Sequence, residues 1–132
     1  MEQRVERTVL IPAGLDRVWE ALTRREMLRD WFGAEVLELE VRRGGRLTVR
    51  TGDGGLRRGV IDAVEAPVRL AFRWLPIEEL PGGIVAAIDH TTVEFRLDQT
   101  SEGTELTVVE TALSGLAEDA AGSRGARVLE RT

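Results

Sequence analysis

The chain contains no cysteine, no lysine, no tyrosine and no asparagine, and it has a single histidine, His90. Without cysteine there is no disulfide framework, no thiolate zinc site and no thiol nucleophile. Without lysine there is no Schiff-base chemistry, and all eighteen basic residues are arginine. His90 is then the one side chain whose unperturbed pKa lies near neutrality. One histidine, no cysteine and scattered carboxylates do not assemble a first coordination shell, so neither a metal nor another cofactor is expected. No apolar run approaches the ~20 residues of a membrane span. The N-terminus, MEQRVERTVL, lacks the apolar region of a signal peptide, so a cytoplasmic location is expected.

What is present is ordinary for a folded domain. Of 132 residues, 42% are hydrophobic and 31% charged, enough for one domain, residues 1–132, with a single core. The net charge of −5 argues against a general nucleic-acid binder, which needs a basic face to neutralise phosphates.

Alternation and turn residues divide the chain. Residues 4–11 form a first strand, ended by Pro12 and Gly14. Leu15, Val18, Trp19 and Leu22 recur at helical spacing. Thr23 with Glu26 has the form of a capping box that starts a second helix. That helix carries Met27, Leu28, Trp31 and Phe32, and Gly33 supplies a left-handed stop. Next comes a strand with Leu37, Leu39 and Val41 on its buried side, a Gly44-Gly45 turn, and Leu47 and Val49 beyond it. TGDGG (residues 51–55) is a hairpin turn, followed by LRRGVIDAVE with a bulge at Gly59. Pro67 breaks that strand, and Leu70, Phe72 and Trp74 line one face of the next. Residues 76–83 read as a loop. A long strand with Val93, Phe95 and Leu97 on one face then turns at residues 101–103 into TELTVVETAL, where Leu106, Val108 and Glu110 share a face. The tail from residue 114 has helical composition interrupted by Gly122 and Gly125. The order is strand, two helices, about six antiparallel strands and a terminal helix, which is an α+β arrangement with a curved sheet.

This order and several local stretches resemble the START-like (SRPBCC) superfamily and its helix-grip fold. Within it, the chain is similar to the group named after the activator of Hsp90 ATPase. The stretches that carry the resemblance are IPAGLDRVWEALT (11–23), MLRDWFG (27–33), VRRGGRLTVR (41–50), PVRLAFRW (67–74), TTVEF (91–95) and GTELTVVETAL (103–113). Such domains close with a long amphipathic helix, often with an aromatic residue near its start. The tail here has two glycines and no aromatic, so its helix is short or broken, or begins late.

The resemblance implies a cavity between sheet and helices, and strand alternation names its candidate lining. Trp31 and Phe32 lie at the mouth, and Phe72, Trp74, Phe95, Val108 and Glu110 face inward. The competing reading is that these residues simply fill a small core. Alternation turns Glu110 toward the apolar side, where a buried carboxylate is costly unless paired. It is read either as a ligand anchor or general base, or as a strand-end glutamate paired with an arginine or reaching solvent. The same count puts Asp89 and Thr91 inward and His90 outward, so no catalytic residue is assigned. Arg42, Arg43, Arg46, Arg50, Arg57 and Arg58 cluster at the hairpins and are expected to pair with Glu38, Glu40 and Asp53 as a solvated surface.

The leading expectation is a binder of a small, largely apolar molecule, existing as a monomer or homodimer. The alternative is a protein-interaction, co-chaperone-like module that meets a protein partner, and the third is an aromatase/cyclase-like or hydrolase-like enzyme.

Overall fold

The computed structural model describes residues 2–88 and 90–113. The chain enters as strand β1 (Glu2–Ile11), then forms helices α1 (Leu15–Thr23) and α2 (Arg25–Phe32). Strands β2 (Glu35–Leu39), β3 (Arg46–Arg50), β4 (Leu56–Glu65), β5 (Arg69–Glu79), β6 (Val85–Ala87), β7 (His90–Thr100) and β8 (Gly103–Leu113) follow. One curved antiparallel sheet contains all eight strands in the order β1-β8-β7-β5-β4-β3-β2, with β6 pairing β5 outside that path. This is the α+β architecture expected, with two short helices after the first strand. The terminal helix expected to complete the grip falls on residues 114–132, outside the described residues.

Both helices depend on tertiary packing, since elements of 9 and 8 residues are marginal in water. Helix α1 buries Val18 and Leu22, and α2 buries Leu28. Gly33 ends α2 at φ 64° and donates its N–H to the Arg29 carbonyl at 2.8 Å. The two helices pack on each other, and α2 also lies against β2. The core between sheet and helices centres on Leu22, Leu28, Leu47, Ile61, Leu70 and Phe72, with Leu97 and Leu106 beneath α1. Thr104 is fully buried and donates its hydroxyl to the Ala13 carbonyl at 2.8 Å, which ties β8 to the turn before α1.

Four local expectations are corrected. Thr23 does not cap α2: its hydroxyl donates to the Trp19 carbonyl at 2.8 Å, and Arg24 occupies the N-cap without a side-chain bond. In β2 the buried residue is Val36, opposite Val49, because a bulge at Leu37 shifts the register before Leu39 meets Leu47. Residues 76–83 are not simply a loop, since β5 continues through Pro76 to Glu79 and pairs with both β4 and β6. Proline is tolerated there because it lies in the register shift between the Gly59–Trp74 and Arg57–Glu78 pairs, where no β4 ladder bond needs the N–H it lacks, while its carbonyl accepts from Ile88 N–H at 3.0 Å. Seven strands follow the helices, one more than the alternation pattern separates, because this extension of β5 pairs with the short β6.

Candidate functional site

Between the concave face of the sheet and α2 lies a cavity of about 570 Å³. Alternation along four strands builds its floor. Val5 and Glu110 are paired across β1 and β8, Val93 is opposite Glu110, and Phe72 is opposite Val93, so the four side chains form one row across the sheet. The next row carries Gln3, Ala112, Thr91 and Trp74, and another carries Arg7, Val108 and Phe95. Helix α2 closes one side with Trp31 and Phe32 from its last turn.

All seven side chains predicted to face a cavity line this one: Trp31, Phe32, Phe72, Trp74, Phe95, Val108 and Glu110. Four of them form an aromatic cluster. Phe72 meets Trp74 edge-on at 5.3 Å between ring centroids, Phe32 at 6.0 Å and Phe95 at 6.1 Å, and Phe32 is 5.9 Å from Trp74. Two of these pairs are edge-to-face and two are tilted, all at favourable centroid distances, so the cluster holds itself in place. Trp31 is 40% exposed, which puts it at the mouth, whereas Phe72 is 1% exposed and belongs to core and cavity wall together.

Of the two readings of Glu110, the structure agrees with the residue reaching solvent. It lines the cavity, but on the exposed outer part of β8 next to the edge strand β1. The buried carboxylate of the region is Glu78, 3% exposed, on the part of β5 beyond Pro76. His90 begins β7 as an exposed residue outside the cavity lining, while Thr91 lies within that lining. Asp89 lies outside the described residues. No group of three or more histidines or carboxylates that could hold a metal comes together among the described residues.

Arg57 is the main correction to the surface-arginine reading. Arg42, Arg46, Arg50 and Arg58 do pair at the surface, with Glu40 at 3.7 Å, Glu38 at 3.9 Å, Glu35 at 3.5 Å and Glu79 at 2.8 Å. Arg57 instead points into the cavity, with its guanidinium carbon 4.5 Å from the centre of the Trp74 ring. Its Nε is buried without a hydrogen-bond acceptor among the described residues. Burial pushes its guanidinium below the ordinary arginine value, against the opposing fields of Glu78 and Glu110. The signal was present in the sequence: Arg57, Gly59 and Ile61 share one parity, and Ile61 belongs to the core. Asp53 also departs from the expected ion pairing, since it accepts from the Thr51 hydroxyl and from Gly55 N–H to close its own turn.

Residues 12–128 match the family model described as Activator of Hsp90 ATPase homolog 1-like protein. No curated protein matches the chain. Solved structures that it resembles include protein MLL2253 of Mesorhizobium loti, at 22% identity and TM-score 0.71, with 91% of this chain and 84% of that one covered. Protein BH1534 of Bacillus halodurans is 25% identical at TM-score 0.68, covering 98% and 84%. DynU16, from the dynemicin biosynthetic locus, is 28% identical at TM-score 0.67, covering 96% of this chain and 47% of that one, so the chain spans about half its length. These likenesses place the fold among START-like helix-grip domains. No described helix is long and apolar enough to cross a membrane.

Proposed function

The chain belongs to the Activator of Hsp90 ATPase homolog 1-like family, and on that footing we propose that it binds a small, largely apolar molecule in the cavity between its sheet and α2. The observation that carries this reading is the cavity itself. Its volume of about 570 Å³ falls in the range of about 300–1,000 Å³ usual for small-ligand sites. Its wall has the composition such sites have, an aromatic and aliphatic surface interspersed with polar groups such as Arg57, Thr91 and Glu110. The likeness to a protein of a biosynthetic locus fits a small-molecule role. A cytoplasmic location belongs to the same proposal.

Native mass spectrometry of the protein purified from its own host tests it. The expected spectrum contains a species heavier than the polypeptide by one small molecule. A bare polypeptide that also fails to take up the apolar dye N-phenyl-1-naphthylamine contradicts the reading.

A protein-interaction role is the second reading, and one observation favours it. Ile77, Ile84 and Val85 are 47%, 62% and 58% exposed around the β5–β6 hairpin, a local apolar patch of the kind that meets partners. Substituting Ile84→Ser and Val85→Ser should leave dye binding intact and abolish any chaperone association; persistent association removes the patch from that role. An enzymatic reading ranks last. Acid–base work needs a second positioned group, and Glu110 is the one carboxylate among the described lining residues.

A further inference from the structure

Among the hairpin arginines, Arg57 is the one that lines the cavity, which surface ion pairing does not explain. It faces inward because it shares the concave side of β4 with Gly59 and Ile61. A Cβ at Gly59 would sit 3.3 Å from the Trp74 ring, so the missing side chain is what lets that ring lie against β4 beside the guanidinium. Arg57 Nε–H is sealed from water and has no acceptor among the described residues. The guanidinium therefore meets the cavity stripped of part of its hydration. An acceptor brought by a ligand competes there with less water than at the surface, and a charged donor binds it strongly.

The charge that such a ligand carries follows from the groups around it. Among the described residues, Arg7 and Arg57 are the cations lining the cavity, and Glu110 is the lining anion. Buried Glu78 stands opposite Arg57 across the β4–β5 pair. With Glu78 counted behind the wall, the two positive and two negative formal charges of these described residues cancel. An anionic ligand group at Arg57 would face Glu78 and Glu110, and a cationic one would face Arg57 itself, each at a cost in a partly desolvated site.

We infer that the cavity takes a molecule of zero net charge, with a planar apolar body against Phe32, Phe72 and Trp74 and a carbonyl or phenolic oxygen hydrogen-bonded by the Arg57 guanidinium. The inference rests on the ligand-binding reading and narrows its chemistry.

Three fluorescent naphthalenes separate the possibilities. N-phenyl-1-naphthylamine is neutral without a carbonyl, anilinonaphthalene sulfonate adds an anionic group to that skeleton, and prodan is a neutral naphthyl ketone whose emission moves to the red when its carbonyl accepts a hydrogen bond. Each is titrated into the wild type, Arg57→Met and Arg57→Lys. Prodan is expected to bind the wild type about tenfold more tightly than Arg57→Met, the value of one hydrogen bond from a charged donor. Its bound emission should shift to the blue in that variant, and prodan should lose more affinity than N-phenyl-1-naphthylamine, which has no carbonyl for Arg57 to bond. In the wild type the sulfonate should bind no better than its uncharged parent. Arg57→Lys keeps a charge opposite Glu78 and so guards against a variant that fails to fold; it should also lose the prodan shift, because the planar donor fork is gone. Unchanged prodan affinity and emission in the variants overturns Arg57 as the anchor. Sulfonate binding tenfold above that of the parent overturns the neutrality. If none of the three dyes binds the wild type, the ligand-binding reading itself fails.

Discussion

Replacing Phe72 by alanine separates a cavity wall from a fully packed core. The ring is 1% exposed and touches Phe32, Trp74 and Phe95 at centroid distances between 5.3 and 6.1 Å. Burial of a Phe side chain contributes about 1.5–3 kcal/mol, and aromatic pairing adds about 0.5–1.5 kcal/mol for a well-placed neighbour. In a closed core, deleting the ring costs about 3–5 kcal/mol, part of it for the dry void left behind. Here the new space opens into an existing cavity of about 570 Å³ whose lining includes polar groups, so water can enter and the void contributes less. The expected loss is about 3 kcal/mol, a large share of the roughly 5–15 kcal/mol that holds a domain together. With a urea slope of about 2 kcal/mol/M, the unfolding midpoint followed by tryptophan fluorescence falls by about 1.5 M at unchanged slope. A fall of less than about 0.5 M means the ring is not packed as described. A loss beyond about 5 kcal/mol means the void is sealed and dry, which refutes an open cavity beside it.

Other perturbations probe separate parts of the account. Trp31→Ala, at a side chain 40% exposed, should change the unfolding free energy by less than about 1 kcal/mol yet weaken N-phenyl-1-naphthylamine binding several-fold; unchanged affinity removes Trp31 from the site. Gly59→Ala places a Cβ 2.9 Å from the Arg73 carbonyl oxygen and 3.3 Å from the Trp74 ring, so calorimetry should show a melting temperature at least about 4 °C lower. On the convex face, burial raises the Glu94 pKa, but hydrogen bonds from Arg69 and Arg96 outweigh it and hold the group below its ordinary 4.5. Its contribution to stability is present above pH 4.5 and is lost as pH falls through the lower folded value, where the unfolded chain has already taken up its proton. Glu94→Gln should therefore flatten the decline in stability below pH 4.5; an identical acid limb in both proteins contradicts that pairing.

Much of the architecture was legible because period-two alternation survives in the strands that form the floor of the site. Phe72, Trp74, Phe95 and Val108 could be placed on one face by counting alone, and Gly33 marked the end of α2 by its left-handed backbone. Where counting failed, a local event had reset the parity. The bulge at Leu37 exchanged it for Val36 on the buried side. Pro76 looked like the end of a strand, yet the backbone hydrogen bonds continue past it, and that extension buries Glu78. Arg57 was hidden for another reason. It stands among five other arginines of the hairpins, and composition suggested a solvated cluster although its parity with Gly59 and Ile61 pointed inward. Glu110 illustrates the limit of parity, which assigns a face but not a depth: the residue faces the cavity from the rim.

The central claim, that the cavity holds an apolar molecule, is tested most directly by filling it. Val108 lines the floor beside Phe95 and is only half-buried, so Val108→Trp should project a large ring into free volume with little strain in the sheet. Isothermal titration of N-phenyl-1-naphthylamine should show one site in the wild type and at least a tenfold weaker one, about 1.4 kcal/mol, in a Val108→Trp protein of unchanged melting temperature. Equal binding by both proteins, or none by the wild type, would contradict the account.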